Sequence, residues 1–351
     1  MGGTAGAHRF SVVVPCYKVE SCLRGCLDSL LSQTLDGLEI ICVNDGSPDG
    51  SLEIMRSYQR RHPGSVKVVD QENGGLWSAR RSGIEVASGE YIGFVDADDE
   101  VTSDWAERLY GAATQSGAEL VVCGLSRVER ASGRVMTREF CQPRPPLSSS
   151  IDPGALVGIN PSVCNKCFRL ESVQRMAALE EPPSILEDLA FSLLFYLVMR
   201  GTIAFVPLPL YRYVVHQDSM INTVTIEQVE TVKRMLLEVR SAYRRAGAST
   251  ELGQMLDASA FLHLGISMSF RLSCLRGVDL GASLRATTLY LDAHFPSWRR
   301  SPYTGLGYAL SHGPAFRRLT VASWFYKAHL MRPFLAAYRL ALSTLGTDIK
   351  W

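Results

Sequence analysis

Neither sign of charge predominates in this chain: 36 Lys and Arg face 35 Asp and Glu, a formal net charge of +1. That balance, with no dense basic block interleaved with aromatics, excludes a strongly electrostatic nucleic-acid binder. Long apolar runs are scarce as well. The strongest, residues 189–199, is about half the length of a bilayer-spanning helix and reads as a buried core helix. Residues 1–8 are rich in Gly and Ala and lack the basic region and apolar core of a secretory signal, so a frayed terminus is expected. No internal repeat is present. The nine cysteines are odd in number and scattered through expected strands and helices rather than set out as a secreted framework, which points to a reducing cytoplasm. Cys164-Asn165-Lys166-Cys167 is a CxxC without a second pair, so buried thiols are expected there in preference to a zinc site.

What the chain does contain is an apolar strand that runs into acids: Tyr91-Ile92-Gly93-Phe94-Val95-Asp96-Ala97-Asp98-Asp99. Unpaired carboxylates are costly in a low-dielectric surrounding, so clustered acids at a strand end expect a cation. On an extended backbone, Asp96 and Asp98 would project to one side, within reach of a hard divalent ion and its phosphate ligands. The competing reading is that they only solvate a strand-to-helix turn. Upstream, residues 9–17 form a β-branched run closed by Pro15 and Tyr17, and Leu23, Leu27, Leu30 and Leu31 share one helix face. Residues 38–47 then read as strand and polar turn. Ser51 is expected to cap a helix to about His62, Val66 to open a third strand, and Asn73-Gly74-Gly75 to open a further helix. Alternating strands and helices imply a parallel sheet. Ligands of such sheets sit beyond the strands' carboxyl ends, where Tyr17, Asp45, Asn73, Asp96 and Asp98 all fall.

The segments VVVPCYKVESCLRGCLDSLLSQT (12–34), LEIICVNDGSPDGS (38–51) and QENGGLWSARRSGIEVASGEYIGFVDADD (71–99) resemble the family 2 glycosyltransferases, in order and in kind. CNKCFR (164–169), LEDLAF (186–191) and LYRYVVHQDS (210–219) extend the resemblance to about residue 220. It implies the GT-A fold, a Rossmann-like, mainly parallel α/β sheet flanked by helices. It further implies an inverting, metal-dependent transfer of a hexose or N-acetylhexosamine from a UDP-sugar to a saccharide or lipid-linked saccharide in bacterial surface-glycan assembly. The expected organisation is a nucleotide-sugar half over 9–125, an acceptor half over 126–225 and a helical region over 226–351, the last begun by Val229, Val232, Met235, Leu236 and Val239 on one face. Gly, Pro and Ser accumulate over 131–152, where a loop or long hairpin is expected. Two rivals are weaker: a noncatalytic protein retaining the fold, and a sugar-1-phosphate nucleotidyltransferase, whose glycine-rich signature with arginine is replaced here by Pro15-Cys16-Tyr17.

By that resemblance, Pro15, Tyr17, Asp45, Asn73, Arg80, Asp96, Ala97 and Asp98 bind the nucleotide sugar. Tyr17 would contact uracil, and Asp45 could accept the uracil N3–H, close an Asx turn, or do both. Asn73 and Arg80 lie where a helix begins and could approach ribose, base or phosphates; for Arg80 a surface ion pair is the other reading, and Arg81 is the preferred surface residue. Asp98 would ligate Mn²⁺ or Mg²⁺, Asp96 would hold ribose or metal-bound water, His216 would complete the metal shell or face solvent, and Asp99 would be structural. Glu187 and Asp188 satisfy a helix dipole on sequence grounds alone. The resemblance makes Asp188 the general base and Glu187 its neighbour. Lys166 is structural or acceptor-side, and Val214 stands where relatives often carry arginine. Over residues 298–351, eight Lys or Arg oppose one acid among interspersed aromatics, consistent with peripheral membrane contact at the inner face or with a lobe packed on the catalytic domain.

Overall fold

The computed structural model describes residues 8–181, 183–215, 224–275 and 277–345. The chain divides into two compact units: Met1–Ser150 with Pro161–Ala178 and Glu187–Ser219, and Ile151–Asn160 with Leu179–Leu186 and Met220–Trp351.

Among the described residues, ten strands of the first unit form one sheet. Four are parallel neighbours: β1 (Phe10–Cys16), β2 (Leu38–Asp45), β3 (Val66–Gln71) and β4 (Tyr91–Phe94), in the order β3-β2-β1-β4. β1 is buried throughout, as a β-branched run shielded on both faces should be. The sheet continues with β9 (Lys166–Arg169) antiparallel to β4, then β6 (Leu120–Glu129), then β10 (Thr202–Val215) parallel to β6. β5 (Glu100–Val101) and β8 (Leu147–Ser148) border β10, and β7 (Val135–Glu139) pairs with β6, which makes the Gly/Pro-rich stretch a hairpin followed by a loop. The crossovers are α1 (Leu23–Leu31), α2 (Ser51–Arg61), α3 (Gly75–Val86) and α4 (Trp105–Ser116), followed by α5 (Leu170–Gln174) and α6 (Glu187–Val198). Ser51 does not cap α2. It is the first residue within that helix, Gly50 occupies the cap, and the Ser51 hydroxyl accepts instead from the Val19 amide at 3.1 Å.

Two contacts press the site-bearing helices onto the sheet. A Cβ on Gly83 would meet Val13 Cγ1 at 2.4 Å, so the absence of a side chain lets α3 lie directly on β1. α6 is buried on nearly all sides from Leu189 to Tyr196. Its Phe191 ring meets Phe94 of β4 and Phe168 of β9, each at 5.2 Å in edge geometry. Such pairs add about 0.5–1.5 kcal/mol each beyond area burial. They fix the start of α6, one turn earlier, beside the end of β4.

At the opposite sheet edge, one buried carboxylate ties four strands together. Glu39 of β2 accepts from Ser11 Oγ of β1 (2.5 Å), Lys67 Nζ of β3 (2.6 Å), and the Ser88 amide (2.6 Å) just before β4. Burial opposes its charge, but these donors win and hold its carboxyl down at about 2.

The second unit is helical where described. α7 (Ile226–Arg245) begins in a capping box between Thr225 and Gln228. α8 (Thr250–Ala260) runs into a widened π-helical stretch, Phe261–Met268. There the Tyr326 hydroxyl donates to the Gly265 carbonyl, satisfying an acceptor in the irregular turns. Phe261, Trp298 and Tyr326 form the aromatic core, with Phe261 stacked on Trp298 at 4.7 Å. Asp152 explains why an early segment belongs to this unit: it accepts from the Ala155 amide and from the Tyr308 hydroxyl at 2.7 Å. No helix among the described residues is long and apolar enough to cross a membrane.

The lowered Glu39 carboxyl generates a pH prediction. A folded-state value of about 2 against 4.5 means stability that is complete above the unfolded value and is lost as pH falls from about 4.5 toward 2. Glu39→Gln is expected to cost about 3 kcal/mol at pH 7 and to flatten this acid limb, as read by urea unfolding at several pH values. Parallel acid limbs in the two proteins would refute it.

Candidate functional site

The site lies at the carboxyl edge of the parallel strands. β4 ends at Phe94, and the backbone then turns: the Asp99 amide donates to the Asp96 carbonyl at 2.9 Å. This departs from the extended Asp96-Ala97-Asp98 geometry expected from sequence, because a four-residue turn aims alternate side chains into different surroundings. Asp96 faces Arg80 and Cys164. Asp98 lines a cavity of about 250 Å³ that also includes Cys22, Glu100, Glu129 and Arg130. Ala97 is buried between them.

Arg80 organises the centre. Its position in α3, held against β1 through Gly83, leaves the residue 2 % exposed. Nη1 donates to Asp188 Oδ1 at 2.5 Å, Nη2 to Asp96 Oδ1 at 3.4 Å, and Glu187 Oε1 lies 3.8 Å from Nη1. Burial alone would lower the affinity of Arg80 for its proton, yet Asp188 and Asp96 raise it. The surface ion pair considered for Arg80 is therefore a buried one, with three carboxylates. Glu187 is raised from the carboxylate range by burial and by its neighbour Asp188. Three formal negative charges against one positive leave the cluster acidic, a field that attracts a cation or a proton donor.

Three residues that the sequence did not assign to the site support it. Cys164 Sγ donates to Asp96 Oδ2 at 3.2 Å, and burial followed by the Asp96 charge keeps this thiol protonated. Tyr211 of β10 accepts from the Asp96 amide at 3.2 Å and donates to Asp99 Oδ2 at 2.7 Å. Asp99 also accepts from the Val214 amide at 2.7 Å, and burial raises its carboxyl well above the usual range. The third is Val163, whose amide donates to Asp188 Oδ2 at 3.4 Å. Lys166 is fully buried in β9, donates to the Ser162 carbonyl, and is lowered to about 7 by burial against the pull of Asp188.

The remaining predicted residues lie along the same edge. Pro15 is buried in β1 opposite Val43, and Tyr17, just beyond, is 44 % exposed with Lys18 Nζ 5.0 Å from its ring. Lys18 itself has φ 56°, and Leu186, directly before Glu187, also has φ 56°; non-glycine residues enter this left-handed region only under tertiary constraint. Asp45 accepts from Gln71 Nε2 (2.8 Å) and from the Gly74 and Gly75 amides (2.9 and 2.8 Å), so it ties the end of β2 to the start of α3. Asn73 is exposed, and its amide lies only 2.8 Å from where a Gly46 Cβ would sit, at a glycine with φ 65°. Arg81 is half-buried, with Nη1 enclosed and unpartnered, rather than a surface residue. Arg212 pairs with Glu100 at 3.5 Å. His216 lies outside the described residues.

Comparison with known proteins bears on this arrangement. Residues 11–173 match the model of glycosyl transferase family 2. EpsH of Bacillus subtilis (strain 168) is 31% identical over 267 residues, covering 74% of this chain and 76% of EpsH. The chain belongs to glycosyltransferase family 2. EpsJ of the same organism is 51% identical over 114 residues, but that match spans 32% of this chain and 33% of EpsJ. The crystal structure of S. aureus TarS 1-349 in complex with UDP-GlcNAc is similar with a TM-score of 0.66 at 19% identity, over 92% of each chain. At that identity it shows the fold alone, and the fold is the GT-A arrangement expected from the sequence.

For this family 2 chain, the Arg80 bridge is the testable element. Breaking a buried pair costs about 3–5 kcal/mol, and the low end applies because the three acids keep a fifth to a third of their side-chain surface exposed. Arg80→Ala is expected to lose about 3 kcal/mol of unfolding free energy, with Asp188→Asn/Arg80→Ala losing less than the sum of the single changes. A loss under about 0.5 kcal/mol in Arg80→Ala would show that the bridge carries no stability.

Proposed function

We propose that the chain is an inverting glycosyltransferase that moves a hexose or N-acetylhexosamine from a UDP-sugar to a saccharide or lipid-linked saccharide, in bacterial surface-glycan assembly. One observation carries the reading: Asp188 at the start of α6 and Asp96 at the end of β4 share the Arg80 guanidinium. A carboxylate suited to deprotonating an acceptor thereby stands beside the acids suited to a nucleotide diphosphate. The UDP-GlcNAc complex of TarS, a protein of like fold, supports a nucleotide sugar as donor. Residues 9–125 are assigned to the donor and 126–225 to the acceptor. The nine thiols suit a reducing, cytoplasmic setting.

In the proposed reaction, Asp188 accepts the proton of the acceptor hydroxyl while that oxygen attacks the anomeric carbon from the face opposite the nucleotide. The bond between the anomeric carbon and the diphosphate oxygen breaks, and UDP leaves with the electron pair. A single displacement turns an α-linked donor into a β-linked product and needs no covalent carboxylate partner, by analogy with inverting glycosidases. Arg80 positions Asp188, and Glu187 orients the base or acceptor. Tyr17, exposed beyond β1, suits stacking on uracil, with Asp45, Asn73 and Pro15 around the base and ribose.

Among the described residues no three His, Cys, Asp or Glu gather as a metal cage. A Mg²⁺ or Mn²⁺ that travels with a diphosphate does not require one, since it takes one or two carboxylates plus phosphate oxygens. Asp98, a hard oxygen donor lining an acidic cavity, fits that demand. We assign Asp98 as ligand, with Asp96 and His216 as the further candidates; the ion would neutralise the departing diphosphate.

Two substitutions test the assignment. Asp188→Asn should retain UDP binding by titration calorimetry while lowering transfer about 10²–10⁴-fold. Asp98→Ala should abolish the increase in UDP affinity produced by Mn²⁺. Unchanged turnover in Asp188→Asn would overturn the base assignment, and metal-enhanced UDP binding in Asp98→Ala would overturn the ligand. A panel of UDP-sugars in the same assay identifies the donor.

A further inference from the structure

Residues 293–347 contain no Asp or Glu, whereas seven Lys or Arg fall among them. The structure sorts the aromatics of this stretch into two groups. Trp298 is fully buried and Tyr326 is 5 % exposed, both in the aromatic core of the helical unit. Trp324 is 53 % exposed. It lies on helix α9 (Pro314–Lys327), whose Phe316, Leu319, Ala322, Ser323 and Tyr326 face inward. At 100° per residue, Arg317, Val321, Trp324 and Ala328 make one outward stripe, with Arg318 beside Val321. All five are exposed, and Leu330 in the turn that follows is 50 % exposed.

An indole and a valine placed outward one to two turns beyond two arginines, on a helix that already buries its other face, are not accounted for by packing. We propose that this face of α9 docks on the surface of an anionic lipid bilayer, with Trp324 and Val321 entering the headgroup region and Arg317 and Arg318 meeting lipid phosphates. Charge decides between a bilayer and a second copy of this chain. A basic face without nearby acids in its own sequence repels its own image across a two-fold axis, whereas an anionic leaflet attracts it. With so few inserted side chains the docking is reversible and salt-sensitive. It goes beyond the proposed reaction and deepens it only in one respect, by giving a lipid-linked acceptor a reason to meet the enzyme at a surface.

Vesicle co-sedimentation of the full chain, without donor or acceptor, tests the proposal. The protein is expected to pellet with phosphatidylcholine–phosphatidylglycerol vesicles, to remain soluble with phosphatidylcholine alone, and to be released by raised salt. R317E/R318E and, separately, V321S/W324S should each lower the bound fraction about tenfold at fixed lipid. Both should keep the parent's melting temperature and UDP affinity, because the altered side chains are exposed and belong to the helical unit. Equal pelleting of parent and both variants overturns the proposal. So does binding indifferent to phosphatidylglycerol, or a concentration-dependent dimer that the variants dissociate while the parent ignores vesicles. Loss of transfer in Asp188→Asn leaves every one of these readouts untouched, so the two readings fail separately.

Discussion

A single buried guanidinium holds the carboxyl edge of the sheet together. Arg80 sits on α3, the crossover from β3 to β4, Asp96 just past the end of β4, and Asp188 on α6, 108 residues beyond Arg80 in the chain. In water such a cluster is worth little, but the enclosed Arg80 guanidinium cannot turn to solvent and depends on these partly exposed carboxylates for its neutralisation. The close lie of α3 at Gly83 and the Phe94–Phe168–Phe191 contacts are what bring these groups into register. Packing therefore precedes electrostatics here: the apolar core sets the distances, and the ion pairs then select among side-chain conformations.

The same edge carries more negative than positive charge, and the protein manages the excess unevenly. Asp99 is removed from the account by burial, held by Tyr211 and the Val214 amide. Asp96 is shared between Arg80 and the Cys164 thiol. Asp98 instead lines an open cavity. Three consecutive-looking acids thus do three jobs, because the turn after β4 sends each into a different dielectric. At the far edge Glu39 shows the contrasting arrangement, a buried acid with enough donors to remain ionised and a purely structural part to play.

Much of the first unit was legible in the sequence. The order of alternating elements, the parallel β1, β2, β3 and β4 and the apolar α6, and in the second unit the helix from Ile226, all follow from hydrophobic period and turn residues, which are local properties. The segment motifs also carried the family, which the match over residues 11–173 and the similarity to EpsH establish. Other readings did not survive: Ser51 lies inside its helix, Arg81 is half enclosed, and Asp96 and Asp98 stand on a turn. Each of these depended on which neighbours crowd a backbone position, and no local pattern reports that.

By itself, then, the sequence determined the type and order of the elements and which polar residues reach the sheet's carboxyl edge, since periodicity and strand direction suffice for both. Tertiary structure alone decided that Arg80 turns inward to Asp188, that Cys164 and Tyr211 brace Asp96, and that Trp324 faces out while Trp298 faces in. Partner choice and exposure are set by contacts between residues distant along the chain, through close packing and the loss of water, and these exist only once the chain has folded.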